Sequence, residues 1–178
     1  MGGSARTLRR HEPRQGFRGG SGELVARVEG QLDDTHTPLT GTLVLLVEPE
    51  QGYRAVDALA SPRHELDLTM YELPDPEAEQ ILAADAHRGV RVRVLFDRDY
   101  IGRYNRAGLS FLLGQSVAVR WASDQVAITH EKTSAIDRRT AVVMTGNLTS
   151  EYYSTSRDFA VVDSIPADVA AIEQTFGL

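Results

Sequence analysis

The five histidines of this 178-residue chain are not equivalent. His11 and His36 lie in polar, turn-rich text, and His64 follows Ser61-Pro62-Arg63 in a predicted loop. His87 falls in the last turn of a predicted helix, where a cation is welcome. His130 is the one with chemical company. It ends a predicted strand in the run His130-Glu131-Lys132, where alternation puts His130 and Lys132 on one face and Glu131 on the other. Asp137 follows in the turn Asp137-Arg138-Arg139, and the next strand runs into Met144-Thr145-Gly146-Asn147. An imidazole, an ammonium, a hydroxyl and a carboxamide therefore meet on neighbouring strand ends. This set suits an anionic phosphate. Lysine supplies a point charge, Thr145 and Asn147 supply donors, and histidine serves as nucleophile or proton carrier.

The elements that must position these groups can be read from the flanking text. Thr42–Val47 is a continuous apolar run, and Leu66–Tyr71 and Val90–Phe96 are further predicted strands. Between the latter two lies a helix with Asp75 as N-cap, Pro76 at its first position, and Glu77 and Glu79 at the positive end of the dipole. Ala78, Ile81 and Leu82 form its apolar face, and Arg88-Gly89 stops it. Strand, capped helix and Val-rich strand make a right-handed βαβ unit with parallel strands. A second helix spans Arg103–Leu113 and ends at Gly114. Short strands follow at Val117–Trp121, Val126–His130, Ala141–Thr145 and Phe159–Val162. The helix Pro166–Phe176 closes the pattern with Val169, Ile172 and Phe176 on one face. The expected class is α/β, a mixed sheet flanked by helices, with its later strands antiparallel.

Composition narrows the chemistry. The chain is 42% hydrophobic and 25% charged, enough for a core of one domain. There is no cysteine, which excludes disulfides, thiolate metal sites and cysteine nucleophiles. No run of ~18 apolar residues reads as a membrane span, and no signal peptide is visible at the N-terminus. A cytoplasmic or membrane-peripheral location is the expectation. Lys132 is the only lysine among 19 basic residues. Met1–Gly22 carries five arginines against one acid, about +4, which leaves about −10 of the net −6 to the remaining residues. Residues 1–40 are expected to be a flexible, basic, glycine-rich segment, and residues 41–178 the catalytic domain.

The spacing His130-x-Lys132, four residues, Asp137, six residues, Met144-Thr145-Gly146-Asn147 resembles the signature of the phospholipase D superfamily. The segments Tyr71-Glu72-Leu73-Pro74-Asp75-Pro76, Arg88 to Asp97, and Thr145-Gly146-Asn147-Leu148-Thr149 with Arg157-Asp158-Phe159 are similar to bacterial phospholipase D and cardiolipin-synthase-like members. The resemblance covers roughly Thr42 to Phe176. Met144 stands where glycine is usual and Thr145 where serine is usual; threonine keeps the hydroxyl. The resemblance implies a phospholipase-D-like sandwich in which His130 attacks phosphorus and forms a phosphohistidine. Lys132 and Asn147 would hold the non-bridging oxygens, with Thr145 in phosphate contact. Asp137 would be a supporting residue, and Asp158 is the candidate carboxylate orienting the imidazole. The scheme requires no metal and no cofactor.

The same resemblance implies a second motif copy, whose histidine protonates the leaving group. This chain holds one. The expectation is a homodimer pairing two His130 residues about a two-fold axis, or one half of a longer two-motif enzyme, which the end at Phe176-Gly177-Leu178 slightly favours. A phospholipid is the preferred substrate, with Tyr100-Ile101-Gly102 and Glu151-Tyr152-Tyr153 as candidate apolar lips. The runner-up is a dimeric endonuclease, for which Arg91, Arg93, Arg98, Arg103, Arg106, Arg138, Arg139 and Arg157 would have to build a local positive surface against the net charge. A third reading is an inactive, purely binding domain.

Overall fold

The computed structural model describes residues 24–32, 38–49 and 54–176. In chain order the elements are β1 (Leu24–Leu32), β2 (Pro38–Glu48), α1 (Arg54–Leu59), β3 (Glu65–Met70), α2 (Pro76–His87), β4 (Arg91–Phe96), α3 (Gly102–Leu113), β5 (Ala118–Trp121), β6 (Lys132–Ile136), β7 (Thr140–Met144), β8 (Asp158–Asp163) and α4 (Pro166–Phe176). Among the described residues the eight strands form one sheet in the order β1-β2-β8-β7-β6-β3-β4-β5. β3, β4 and β5 are parallel. The pairs β3–β6, β6–β7, β7–β8, β2–β8 and β1–β2 are antiparallel. The α/β class and the mixed sheet are thus as the sequence predicts.

The helix between β3 and β4 forms for the reasons its sequence states. The Asp75 carboxylate accepts the Glu77 N–H at 2.9 Å, and Pro76 opens the first turn. Gly89 at φ +92° takes the chain out of the helix into β4, a conformation that glycine adopts without steric cost. Leu66, Leu68 and Met70 of β3, with Val92, Val94 and Phe96 of β4, pack in one core against Val56 and Leu59 of α1, Ala78 and Leu82 of α2, and Leu112 of α3. Burying a side chain of this size contributes about 1.5–3 kcal/mol. The alternate residues face α4. Arg93 pairs with Asp67 through a 2.7 Å bond and lies 4.7 Å over the Phe176 ring. Val169 and Phe176 are the buried residues of that helix. Helices thus cover both faces of the sheet.

Two expectations change, and one element is added. The segment 126–130 is not a strand: backbone without a partner strand runs there, pinned by Thr129 N–H to the Asp97 carboxylate at 2.9 Å, and the strand begins at Lys132. Within the span 1–40 expected to be flexible, Leu24–Leu32 is a strand that pairs with Pro38–Leu45. Residues 1–23 lie outside the described residues. The short helix α1 at Arg54–Leu59 was not foreseen.

Candidate active site

The site forms where five strand ends converge. Met70 closes β3 opposite Lys132, which opens β6. Val143 of β7 pairs with Thr133 and Met144 with Ala160 of β8, so the end of β7 lies beside the start of β6. Asp158 opens β8 opposite Glu48 at the end of β2. Residues that follow β3 and β7 and those that precede β6 and β8 therefore share one edge. Open α/β sheets use this carboxyl edge of their parallel strands for ligands.

His130 is exposed on this edge, while Lys132 is 5% exposed. The Lys132 ammonium lies 3.3 Å from each ring nitrogen of His130 and donates to the His130 carbonyl oxygen at 3.1 Å. Tyr71 packs edge-on against the imidazole, centroids 4.4 Å apart, and its ring lies 5.0 Å from the ammonium. Burial depresses the Lys132 pKa, and the charges of Asp158 and Glu72 partly restore it. Glu131 points the other way, accepting from Thr133 Oγ1 at 2.6 Å and from Thr175 Oγ1 of α4 at 3.0 Å. The predicted same-face relation of His130 and Lys132 holds, although His130 precedes the strand.

The remaining members arrive from the β7–β8 connection. Thr145 Oγ1 donates to Asp158 Oδ1 at 2.9 Å and accepts the Phe159 N–H at 2.9 Å. Gly146 permits this approach, because a Cβ there would stand 2.9 Å from Asp158 Cγ. Asn147 Nδ2 donates to Glu72 Oε2 at 3.1 Å, and the Glu72 carbonyl oxygen accepts the Leu148 N–H at 3.1 Å. Asn147 Oδ1 and Thr149 Oγ1 are buried without a hydrogen-bond partner. Lys132, Thr145, Asn147 and Asp158 are thus brought together with His130.

Asp137 is not. It sits at the far end of β6, about 16 Å along a five-residue strand at ~3.3 Å per residue. Its carboxylate accepts three backbone N–H groups, from Arg63 (2.9 Å), His64 (2.8 Å) and Glu65 (2.9 Å). Burial alone would raise its pKa, but these bonds outweigh it and hold the carboxyl below its usual value. Asp137 staples the β3 entry to the β6–β7 turn. It touches none of the reacting groups, and of the candidate site residues it is the one that the fold holds apart from them, in a supporting place.

Two positioning residues escaped the sequence reading. Asp97, 2% exposed, accepts from Tyr100 N, Ile101 N and Thr129 N at 2.9–3.0 Å and so holds the backbone that carries His130. Asn105, fully buried, donates to the Tyr71 carbonyl oxygen at 2.7 Å and accepts the Leu73 N–H at 3.0 Å. The available signals were an acid directly after an apolar strand and a polar residue on a helix's buried side. Neither is specific.

Beside the phosphate-suited cluster runs a groove of about 860 Å³ lined by Glu72, Pro74, Tyr100, Ile101, Arg103, Tyr104 and the stretch Thr149–Tyr152. Tyr100, Tyr104 and Tyr152 are 73%, 46% and 50% exposed, so an aromatic lip borders the site. Several arginines already have partners. Arg91 and Arg138 pair with Glu65, Arg93 with Asp67, Arg98 with Asp99, and Arg103 stacks on Tyr104. Among the described residues no cluster of three or more His, Asp or Glu side chains is arranged to hold a metal ion. No helix among them is long and apolar enough to cross a membrane.

Fold and site together define an α/β protein with a phosphate-suited cluster at the carboxyl edge of its sheet. The family model for the cardiolipin synthase, PLD-like domain matches residues 55–177, more than half of the chain. The chain therefore belongs to the phospholipase D superfamily, whose members generally act on phosphodiesters. It is 28% identical over 109 residues to the human mitochondrial cardiolipin hydrolase, an alignment covering 61% of this chain and 42% of that protein. The chain thus spans less than half the length of that relative. In fold it is similar to Nuc of Salmonella typhimurium, a phospholipase D family member, with TM-score 0.67 and 23% identity, covering 76% of this chain and 92% of that one. It is also similar to the phosphatidylserine synthase of Haemophilus influenzae, with TM-score 0.62 and 16% identity, covering 79% of this chain and 39% of that one.

Proposed function

We propose that this chain is a phosphodiesterase of the phospholipase D type, that it hydrolyses or transfers phosphatidyl groups, and that its site is completed by a second motif copy. The observation that carries the reading is the exposed His130 imidazole held 3.3 Å from a buried ammonium, at the edge that also presents Asn147 and Thr145. An unprotonated ring nitrogen of His130 attacks phosphorus as the P–O bond to the leaving group breaks. The leaving oxygen takes its proton from the His130 of a second copy, and a phosphohistidine remains. Lys132 moves its hydrogen bonds from the imidazole to the non-bridging oxygens, where the Asn147 amide adds a donor as charge develops, while the Thr145 hydroxyl stays on Asp158 at the edge of the site. Water or an alcohol then attacks the phosphohistidine and gives its proton to the second histidine, restoring both rings. Asp158, bonded to Thr145 and electrostatically coupled to Lys132, keeps this cationic edge oriented. No step uses a metal, so EDTA is expected to leave turnover intact.

The lipid preference rests on the tyrosine lip beside the site, together with the pairing of Arg91, Arg93, Arg98 and Arg138 with acids. Those pairs leave less free positive surface for a nucleic-acid backbone. The test is sedimentation of the chain with activity followed across the same concentrations on phosphatidylcholine vesicles and on plasmid DNA. Lipid turnover that rises with dimer is the expected result. An active dimer that cuts only DNA would replace the lipid reading, and tight binding of either ligand without turnover would make this a binding domain.

A further inference from the structure

One contact in the site is chemically odd for a phosphate receptor: its donors already hold an anion. Asn147 Nδ2 donates to Glu72 Oε2 at 3.1 Å, and the Lys132 ammonium interacts electrostatically with the same carboxylate. Glu72 is fixed in place at both ends of its own residue. Its carbonyl oxygen accepts the Leu148 N–H, and its neighbours Tyr71 and Leu73 are both tied to Asn105. The backbone that carries the carboxylate is thereby held beside the donors it occupies.

We propose that Glu72 is a positioning residue that acts as a resident anion, holding Asn147 and Lys132 in receptor geometry while the site is empty and opposing any phosphodiester that enters. The inference rests on the reading of Lys132 and Asn147 as phosphate ligands and adds to it a residue that sets affinity. A diester monoanion on those donors stands against the Glu72 charge, and like charges this close disfavour each other. The strain is relieved if Glu72 takes up a proton as the ligand binds, since a neutral carboxyl still accepts from Asn147.

The surroundings favour that uptake. Burial raises the Glu72 pKa, Glu151 raises it further, and Lys132 lowers it. The charged and titratable groups around Glu72 are its neighbour Tyr71, Lys132 from β6, Glu151 and Tyr152 from the 3-10 turn Ser150–Tyr152, and Tyr100, Arg103 and Tyr104 from the groove wall of α3 and the loop before it. An arriving anion pushes Glu72 in the direction that its burial and Glu151 already do. Ligand affinity should then fall as pH rises through the Glu72 pKa, by up to tenfold per unit. Loss of the Lys132 charge at higher pH gives a second limb, which the Glu72 charge pushes toward higher pH.

The test titrates the full chain with sulfate, an anion that does not itself change charge between pH 5 and 8, by calorimetry in buffers of different ionisation enthalpy. Glu72→Gln keeps an acceptor for Asn147 but no charge, and Glu72→Ala serves if the glutamine variant melts early. The expected wild-type result is uptake of close to one proton per sulfate and affinity that weakens with pH. The neutral variants should take up fewer protons and bind about tenfold tighter at pH 7, by a margin that shrinks as pH falls. With bis(p-nitrophenyl) phosphate the same variants should show a lowered KM with kcat changed less. Unaltered proton uptake and affinity in the variants would overturn the proposal while leaving the phosphate site standing. Sulfate binding absent from wild type and variants alike, or present but unaffected by Lys132→Met, would overturn this inference and the site reading together.

Discussion

The two ends of β6 hold two members of one short motif and do different work. At the Lys132 end, a buried ammonium, an exposed imidazole and two groups from the β7–β8 connection crowd one sheet edge. At the Asp137 end, a carboxylate is spent entirely on backbone N–H groups of residues 63–65. Five residues of strand separate the ends, so no rotamer brings them together. The contrast teaches that spacing within a motif can be preserved by folding at one position and by chemistry at another. Asp137 carries φ +51° and Arg138 φ +55°, the tight turn that sends β7 back alongside β6 and delivers Thr145 and Asn147 to the site. The structural end therefore sets the register that the chemical end needs.

Mutations should separate the two ends cleanly. His130→Ala is expected to abolish phosphodiester turnover, by about 10⁴-fold or more, with an unchanged melting temperature; activity within tenfold of wild type would remove His130 as nucleophile. Lys132→Met should cost about 10²–10³ in kcat, because a preorganised charge is lost where the transition state needs it. Asp137→Ala should do the opposite. It leaves three N–H groups without their acceptor and puts alanine in the left-handed region, a loss of about 2–3 kcal/mol seen as an early urea midpoint. The folded fraction should retain wild-type kcat, and a large kcat defect at full folding would erase the distinction drawn here.

Smaller effects sharpen the same contrast. Gly146→Ala pushes a methyl toward Asp158 Cγ and should lower kcat about tenfold with a modest loss of stability. The pH response belongs to the structural end. Asp137 has a depressed pKa in the folded state, so its bonds stabilise the fold above the ordinary carboxylate value of 3.8 and are lost as pH falls below it. Acid unfolding followed by circular dichroism should show this limb in the wild type and a weaker one in Asp137→Asn.

Much of the architecture was legible because local signals agreed with one another. The Asp75-Pro76 cap, the Arg88-Gly89 stop and the Val-rich β4 each mark a boundary of the βαβ unit. The helix predicted at Pro166–Phe176 is found with those bounds. The failures are tertiary in origin. Residues 126–130 have strand-like composition, but Asp97 captures the Thr129 N–H and no strand among the described residues pairs with them, so the backbone stays irregular. The strand Leu24–Leu32 was overlooked because a basic, glycine-rich neighbourhood masked it; its pairing with β2 is a non-local event that composition does not report. Glu72 went unremarked because nothing in its own neighbourhood says that Asn147, 75 residues away, will donate to it.

By itself the sequence determined which groups exist and how far apart along the chain they stand: a lone lysine two residues from a histidine, a glycine before an asparagine, and a chain too apolar and periodic to remain unfolded. Composition and spacing are enough for that, since they are properties of the chain before it folds. What only the tertiary structure decided is which of these groups meet. It placed Asp137 at the wrong end for chemistry and Glu72 among the phosphate donors, and it tied the arginines into pairs with Glu65 and Asp67. Those outcomes depend on strand order and register across more than a hundred residues, where a charge finds its partner through the fold and not through its neighbours in the chain.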